Sequence, residues 1–166
     1  KETLLWQNRV SLAEAGVPAE TIDSYCKALE TVFDASTAGM PLPSTSQFNL
    51  PAALSQNLSA VMRQLSMPYL KHFVTLDVRP LLGGISCPVL ALNGTKDMQV
   101  EAESNLGALR SGLPDNPCNK FETVEGVNHM FQHCQTGMTT EYRDIEETFA
   151  PEVLEMLVKW LSKLKY

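Results

Sequence analysis

The stretch from Cys87 to Val100 constrains the fold of this 166-residue chain more than any other. Pro88 suits the first residue of a strand, because proline has no N–H to donate. The apolar run from Val89 to Leu92 is typical of a strand buried on both faces of a parallel sheet. Asn93 and Gly94 are predicted to end this strand, since both residue types tolerate positive φ.

Two chemically useful side chains follow predicted strands. Asp97 comes directly after the first strand, and His129 follows a second strand predicted from Lys120 to Val124. The residues from Glu101 to Leu113 have the apolar spacing of a helix, and a last helix is predicted from about Pro151 to Lys165. The order predicts one right-handed crossover unit, with the carboxylate and the imidazole at the same edge of the sheet.

The first part of the chain is predicted to be helical. Helices are expected over 2–15, from residue 18 onward, over 51–65 and over 69–74, with a loop at 35–49. We therefore divide the chain into a helical lid, residues 1–80, and a βαβα portion, residues 81–166. The second helix has the clearest apolar spacing, which is formed by Ile22, Tyr25, Cys26, Leu29, Val32 and Phe33.

Composition limits the partners. The net charge is −6 and no Lys/Arg cluster occurs, so nucleic-acid binding is not expected. No apolar run approaches the ~20 residues of a membrane span. The chain starts at Lys1 without a signal segment, so we interpret it as a piece of a longer protein and predict no localisation. Two strands do not make a stable parallel sheet, so further strands are expected from chain outside this sequence or from a partner. Exposed strand edges would favour self-association.

The four cysteines indicate no specific chemistry, since their spacing is irregular and no C-x-x-C occurs. Cys26 and Cys87 fall on apolar faces and are predicted to be buried thiols. A bridge between Cys118 and Cys134 remains open.

The residues around Asp97 and His129 resemble a known family. Pro88-Val-Leu-Ala-Leu-Asn-Gly-Thr-Lys-Asp97 and Gly126-Val-Asn-His129-Met-Phe are similar to the C-terminal part of the α/β-hydrolase superfamily, in its serine esterase/peptidase-like branch. The resemblance covers about residues 80–166, and more weakly the helical lid before them. It implies parallel strands with flanking helices, and it implies that Asp97 is the acid and His129 the base of a catalytic triad.

The chain departs from the family pattern at the nucleophile. That family places its serine in a G-x-S-x-G turn before the acid, and this sequence has no such motif. Gly84-Ile85-Ser86-Cys87-Pro88 has proline in place of the second glycine. The resemblance therefore implies the C-terminal part of a hydrolase of small carboxylic esters that needs no cofactor. The nucleophile-bearing N-terminal part would be missing, so this chain alone is expected to be inactive.

Other interpretations remain open. The reaction could instead be amide or peptide hydrolysis, or the domain could be a non-catalytic interaction module in which Asp97 and His129 are relics. A zinc site built from His129, His133 and Cys118 or Cys134 is a third hypothesis, although His133 fits a surface residue better. Further residues with expected packing or pocket-lining roles are Met130 and Phe131 in the His loop and Tyr69, Phe73, Leu42, Phe48 and His72 in the lid.

Overall fold

The computed structural model describes residues 1–164 of the chain. Contacts divide them into two compact units, one from Lys1 to Asp77 and one from Val78 onward. The sequence placed this boundary three residues later, between residues 80 and 81. The first unit is helical and contains α1 (Glu2–Glu14), α2 (Ala19–Thr37), α3 (Ala52–Leu65) and α4 (Pro68–Thr75).

Helix α2 forms the centre of the first unit. Gly16, with φ of +74°, follows α1, and Pro18 precedes the first residue of α2. Five of the six apolar residues that predicted this helix are buried, and Phe33 is partly buried. Burial of that face against α3 stabilises the unit through the hydrophobic effect. The α3 residues buried in the same cluster are Leu54, Leu58 and Leu65.

The second unit has the predicted alternation of strands and helices. It contains β1 (Leu90–Gly94), α5 (Ala102–Gly112), β2 (Lys120–Val124) and α6 (Pro151–Leu161). The two strands are parallel, with Leu90 opposite Lys120 and Gly94 opposite Val124. The unit is therefore mixed α/β, and the carboxyl ends of both strands lie at one edge. The predicted end of α6 at Lys165 lies outside the described residues.

The prediction that β1 is buried on both faces is wrong. Leu90, Ala91 and Leu92 are partly exposed, and only Asn93 and Gly94 are buried. The cause is the small sheet, because within residues 1–164 only β2 pairs with β1. Cys87 is also exposed rather than buried, since it lies in a bend before the strand.

A second core lies beneath the loop that follows β2. Its buried members come from the end of β2, the loop itself and the start of α6. Phe131 and Phe149 pack against this core with their ring centroids 5.4 Å apart. The buried members of the core are Val124, Val127, Ala150 and Val153.

No helix among residues 1–164 is both long enough and apolar enough to cross a membrane.

Candidate functional site

Asp97 lies in the turn after β1, and its carboxylate accepts four hydrogen bonds. Oδ1 accepts the backbone N–H groups of Gln99 and Val100, both at 2.8 Å. Oδ2 accepts the side-chain amide of Asn93 at 3.1 Å and lies 2.9 Å from Nδ1 of His129. The side chain is only 6% exposed. Donors on both oxygens fix the orientation of the carboxylate.

Asn93 has a larger role than the sequence predicted. β1 ends at Asn93 and Gly94 as predicted, but neither residue has positive φ. The buried Nδ2 of Asn93 donates to Asp97 Oδ2 and to the backbone oxygen of Val100, both at 3.1 Å. The amide therefore joins the end of the strand to both ends of the Asp97 turn. The sequence signal for this role was a polar residue at the end of an apolar strand.

Gly94 brings the Asp97 turn against the loop that carries His129. A Cβ on Gly94 would lie 2.1 Å from the backbone oxygen of Val127, which no side chain allows. Glycine is needed here because of this close approach, not because of positive φ. The same Val127 oxygen accepts the backbone N–H of Lys96 at 3.1 Å. The two loops are thus joined by backbone contacts beside the acid.

The loop after β2 is organised around Asn128, which is fully buried. Its Oδ1 accepts the backbone N–H groups of Met130 at 2.9 Å and Gln132 at 3.0 Å. The backbone N–H of Asn128 donates to the backbone oxygen of Gln132 at 3.0 Å. These bonds form a compact turn in which Phe131 has φ of +56°. Asn128 had no predicted role, although a polar residue directly before the candidate base was a signal for one.

The turn presents His129 toward Asp97. Because Oδ2 of the carboxylate contacts Nδ1, the neutral ring has its proton on Nδ1 and keeps Nε2 as the acceptor. The imidazole is 39% exposed, whereas the carboxylate behind it is buried. Phe131 packs into the core below the turn as predicted, but Met130 is exposed, contrary to the prediction. The arrangement can take a proton at Nε2 and stabilise the resulting imidazolium.

Residues 134–137, which follow the His129 loop, contact the Asp97 turn through Lys96. Nζ of Lys96 donates to the backbone oxygens of Cys134 and Gln135, both at 2.9 Å. Gly137 has φ of +81°, and a Cβ there would lie 1.9 Å from the Lys96 oxygen. These contacts fix the backbone directly next to the acid.

His133 does not join His129 in a metal site. Its ring lies between Glu147 and Glu152, whereas the ring of His129 faces Asp97. No cluster of three or more His, Cys, Asp or Glu residues suited to a metal ion occurs within residues 1–164. Cys118 and Cys134 are free thiols, and burial raises the pKa of Cys134.

The residues of the helical unit that the sequence predicted to line a pocket differ in their exposure. Tyr69 and Phe73 are exposed on α4, with stacked rings whose centroids are 6.3 Å apart. Leu42 and Phe48 instead pack against the core of the helical unit. His72 is exposed on α4. Tyr69, His72 and Phe73 are therefore the exposed members of this set.

Comparison with known proteins gives no relative. No protein-family model matches the sequence, and neither a curated protein nor a solved structure shows significant similarity to it.

Proposed function

We propose that the chain is the acid- and base-bearing part of a serine hydrolase of the α/β-hydrolase type, which cleaves carboxylic esters through an acyl-enzyme. The observation that carries this proposal is the 2.9 Å contact between Asp97 Oδ2 and His129 Nδ1 at the carboxyl ends of two parallel strands. A buried carboxylate behind a partly exposed imidazole is the arrangement that activates a hydroxyl nucleophile.

In the proposed reaction, His129 moves the proton. Nε2 takes it from the serine hydroxyl as the oxygen attacks the ester carbonyl. The tetrahedral intermediate collapses, and the departing alcohol oxygen receives the same proton from Nε2. Water then attacks the acyl-enzyme with His129 again as the base, which releases the carboxylic acid and restores the serine. Throughout, Asp97 holds the proton on Nδ1 and stabilises the imidazolium.

The serine and the oxyanion-binding groups would come from chain outside this sequence, which contains no G-x-S-x-G. The sheet supports this part of the proposal. Val89 O accepts from Lys120 N, and Thr95 N donates to Val124 O, so alternate residues of β1 direct their backbone groups toward β2. The backbone groups of Leu90 and Leu92 then face the opposite edge, where a further strand would pair.

The class of substrate is the less constrained part of the proposal. The resemblance favours a small ester, and a peptidase is the alternative within the same chemistry. A non-catalytic module with the same fold would keep the Asp97–His129 contact but would have no nucleophile that reacts with electrophilic phosphorus. That difference decides the choice of experiment.

The test is labelling by a fluorophosphonate, read by intact mass. It compares this chain with the full-length gene product and with its His129→Ala and His72→Ala variants. We expect the full-length protein to gain one adduct, His129→Ala to lose it, and His72→Ala, which changes an exposed histidine of the lid, to keep it. Absence of labelling in the full-length protein would favour the interaction module. Labelling of this chain alone would overturn the assignment of the nucleophile to another segment.

A further inference from the structure

The ring of His133 is held between two carboxylates. Nδ1 lies 3.0 Å from both carboxylate oxygens of Glu147, and Nε2 lies 2.7 Å from Oε1 of Glu152. A neutral imidazole has a single N–H, so it can donate to only one of these carboxylates. Both contacts are hydrogen bonds only when the ring is an imidazolium. The geometry therefore depends on one proton.

His133 also closes the loop that contains His129. It pairs with Val127 in an isolated antiparallel bridge, so the two residues form the base of the loop. The backbone N–H of His133 donates to Glu147 Oε2 at 2.7 Å. A change at His133 is thus next to the backbone that positions the candidate base.

The carboxylates come from two different segments beyond the loop. Glu147 lies in the connection before α6, and Glu152 lies in the first turn of that helix. Further hydrogen bonds join the same segments to the loop. Gln132 Nε2 donates to the backbone oxygen of Glu147 at 2.8 Å, and the backbone N–H of Ala150 donates to the backbone oxygen of Phe131 at 2.7 Å. The charged His133 ring adds a further connection, and this is the one that depends on a proton.

The surroundings favour the charged ring. Glu147 and Glu152 are the charged groups that face it, and no cation opposes them among the described contacts. In its own segment, the Cys134 thiol contacts the Gly126 oxygen instead. The hydrogen bond to Glu147 raises the pKa of His133, and the bonds from His133 lower the pKa of Glu147.

We propose that His133, Glu147 and Glu152 form a proton-controlled latch, which fastens the His129 loop to the start of α6 when His133 is charged and loosens it when His133 is neutral. Its effect on catalysis rests on the proposed hydrolase function, but the latch itself requires no turnover. The latch is closed at pH values above the lowered pKa of Glu147 and below the raised pKa of His133. Alkaline conditions release the contact of one ring nitrogen.

The first measurement is an NMR titration of the histidine ring resonances in the intact chain. We expect the midpoint of His133 to lie higher in the folded protein than in urea. Glu147→Gln and Glu152→Gln should each lower the proton affinity of His133 by about two- to fivefold, the range of exposed ion pairs. Glu146→Gln is the matched control, since Glu146 is exposed and next in sequence. A His133 midpoint that is unchanged by both Glu147→Gln and Glu152→Gln would overturn the latch.

The second measurement is hydrogen exchange of the Ala150 and Asn128 amides, corrected for the intrinsic effect of pH. Protection in the native protein should fall by about two- to fivefold as His133 loses its proton. His133→Lys, which keeps a charge, should remove this change, and His133→Gln should show low protection at both pH values. Equal protection in the native and Gln forms at low pH would contradict the proposal.

Failure of the latch and failure of the hydrolase proposal give different results. A full-length protein that is not labelled by fluorophosphonate, with normal His133 shifts, would remove the enzymatic function and leave the latch. Labelling combined with His133 shifts that are insensitive to both glutamates would do the reverse.

Discussion

His129 and His133 are four residues apart, and each faces a carboxylate through Nδ1, but their surroundings differ. The Asp97 side chain is 6% exposed and accepts bonds on both oxygens, and it contacts a single nitrogen of the His129 ring. The His133 ring is 53% exposed and has carboxylates at both nitrogens. Both histidines belong to the loop whose base is formed by Val127 and His133.

The difference indicates which histidine is suited to act as the general base of the proposed reaction. A general base needs a nitrogen that is free to accept a proton, and His129 keeps Nε2 for this purpose. Both nitrogens of His133 are engaged when it is charged, so it is suited to holding segments together. Burial also matters, because the Asp97 side chain is buried and hydrogen-bonded on both oxygens, which fixes its position beside His129.

The largest expected effect separates the two carboxylates. In the full-length protein, Asp97→Asn should slow fluorophosphonate labelling by on the order of 10⁴-fold, because an amide at this place favours the wrong tautomer of His129. Glu147→Gln should change the rate by no more than about fivefold, the range of an exposed ion pair. Labelling rates at saturating probe measure both. Similar losses in the two variants would mean that the two pairs are not functionally distinct.

A second prediction concerns the close approach of the Asp97 turn to the His129 loop, and it changes neither Asp97 nor His129. Gly94→Ala would place a Cβ 2.1 Å from the Val127 oxygen. We expect a cost near the upper end of the ~1–3 kcal/mol range for overpacking. Gly107→Ala is the matched control, since its Cβ would meet nothing within 4 Å on α5, and it should stabilise the protein by up to about 1 kcal/mol. Urea unfolding gives both values, and equal effects would refute the close approach.

A third prediction concerns the turn that presents His129. Asn128→Ala removes the acceptor of two backbone N–H groups in a buried site, so it should cost about 2 kcal/mol in the free energy of unfolding. Asn105→Ala, an exposed change on α5, should remain within about 0.5 kcal/mol of the native protein. Urea denaturation with a constant m-value is the measurement. A neutral Asn128→Ala would show that the turn is held by other contacts.

The smallest expected effect is the pH dependence of the stability that His133 and Glu147 contribute. The pKa of His133 is raised in the folded state, so its stabilisation is complete below the usual value of about 6.5 and is lost as pH rises through the raised pKa. The pKa of Glu147 is lowered, so its contribution is present above about 4.3 and is lost as pH falls through the lowered pKa.

The melting temperature of His133→Gln should therefore lie below that of the native protein at about pH 6, and the two should converge at alkaline pH. The difference should be at most a few degrees, since the ring is exposed. A gap that widens as pH rises would contradict this sign.

The sequence predicted the alternation of strands and helices and the proximity of Asp97 to His129. These follow from local apolar patterns and from the rule that parallel strands end at one edge of a sheet. The contact of Gly94 with Val127 and the pairing of His133 with Glu147 could not be predicted, because each depends on the path of a loop. The burial of β1 was overestimated, since an apolar run does not reveal how many neighbouring strands will cover it.

The most direct test of the central claim is the tautomer of His129, read from the ¹⁵N shifts of its ring at about pH 9, where imidazoles are neutral. The Asp97 contact predicts a proton on Nδ1 and a bare Nε2, and a reversal of this pattern in Asp97→Asn. A native ring protonated on Nε2, or a tautomer that Asp97→Asn leaves unchanged, would contradict the assignment of Asp97 and His129 as a catalytic pair.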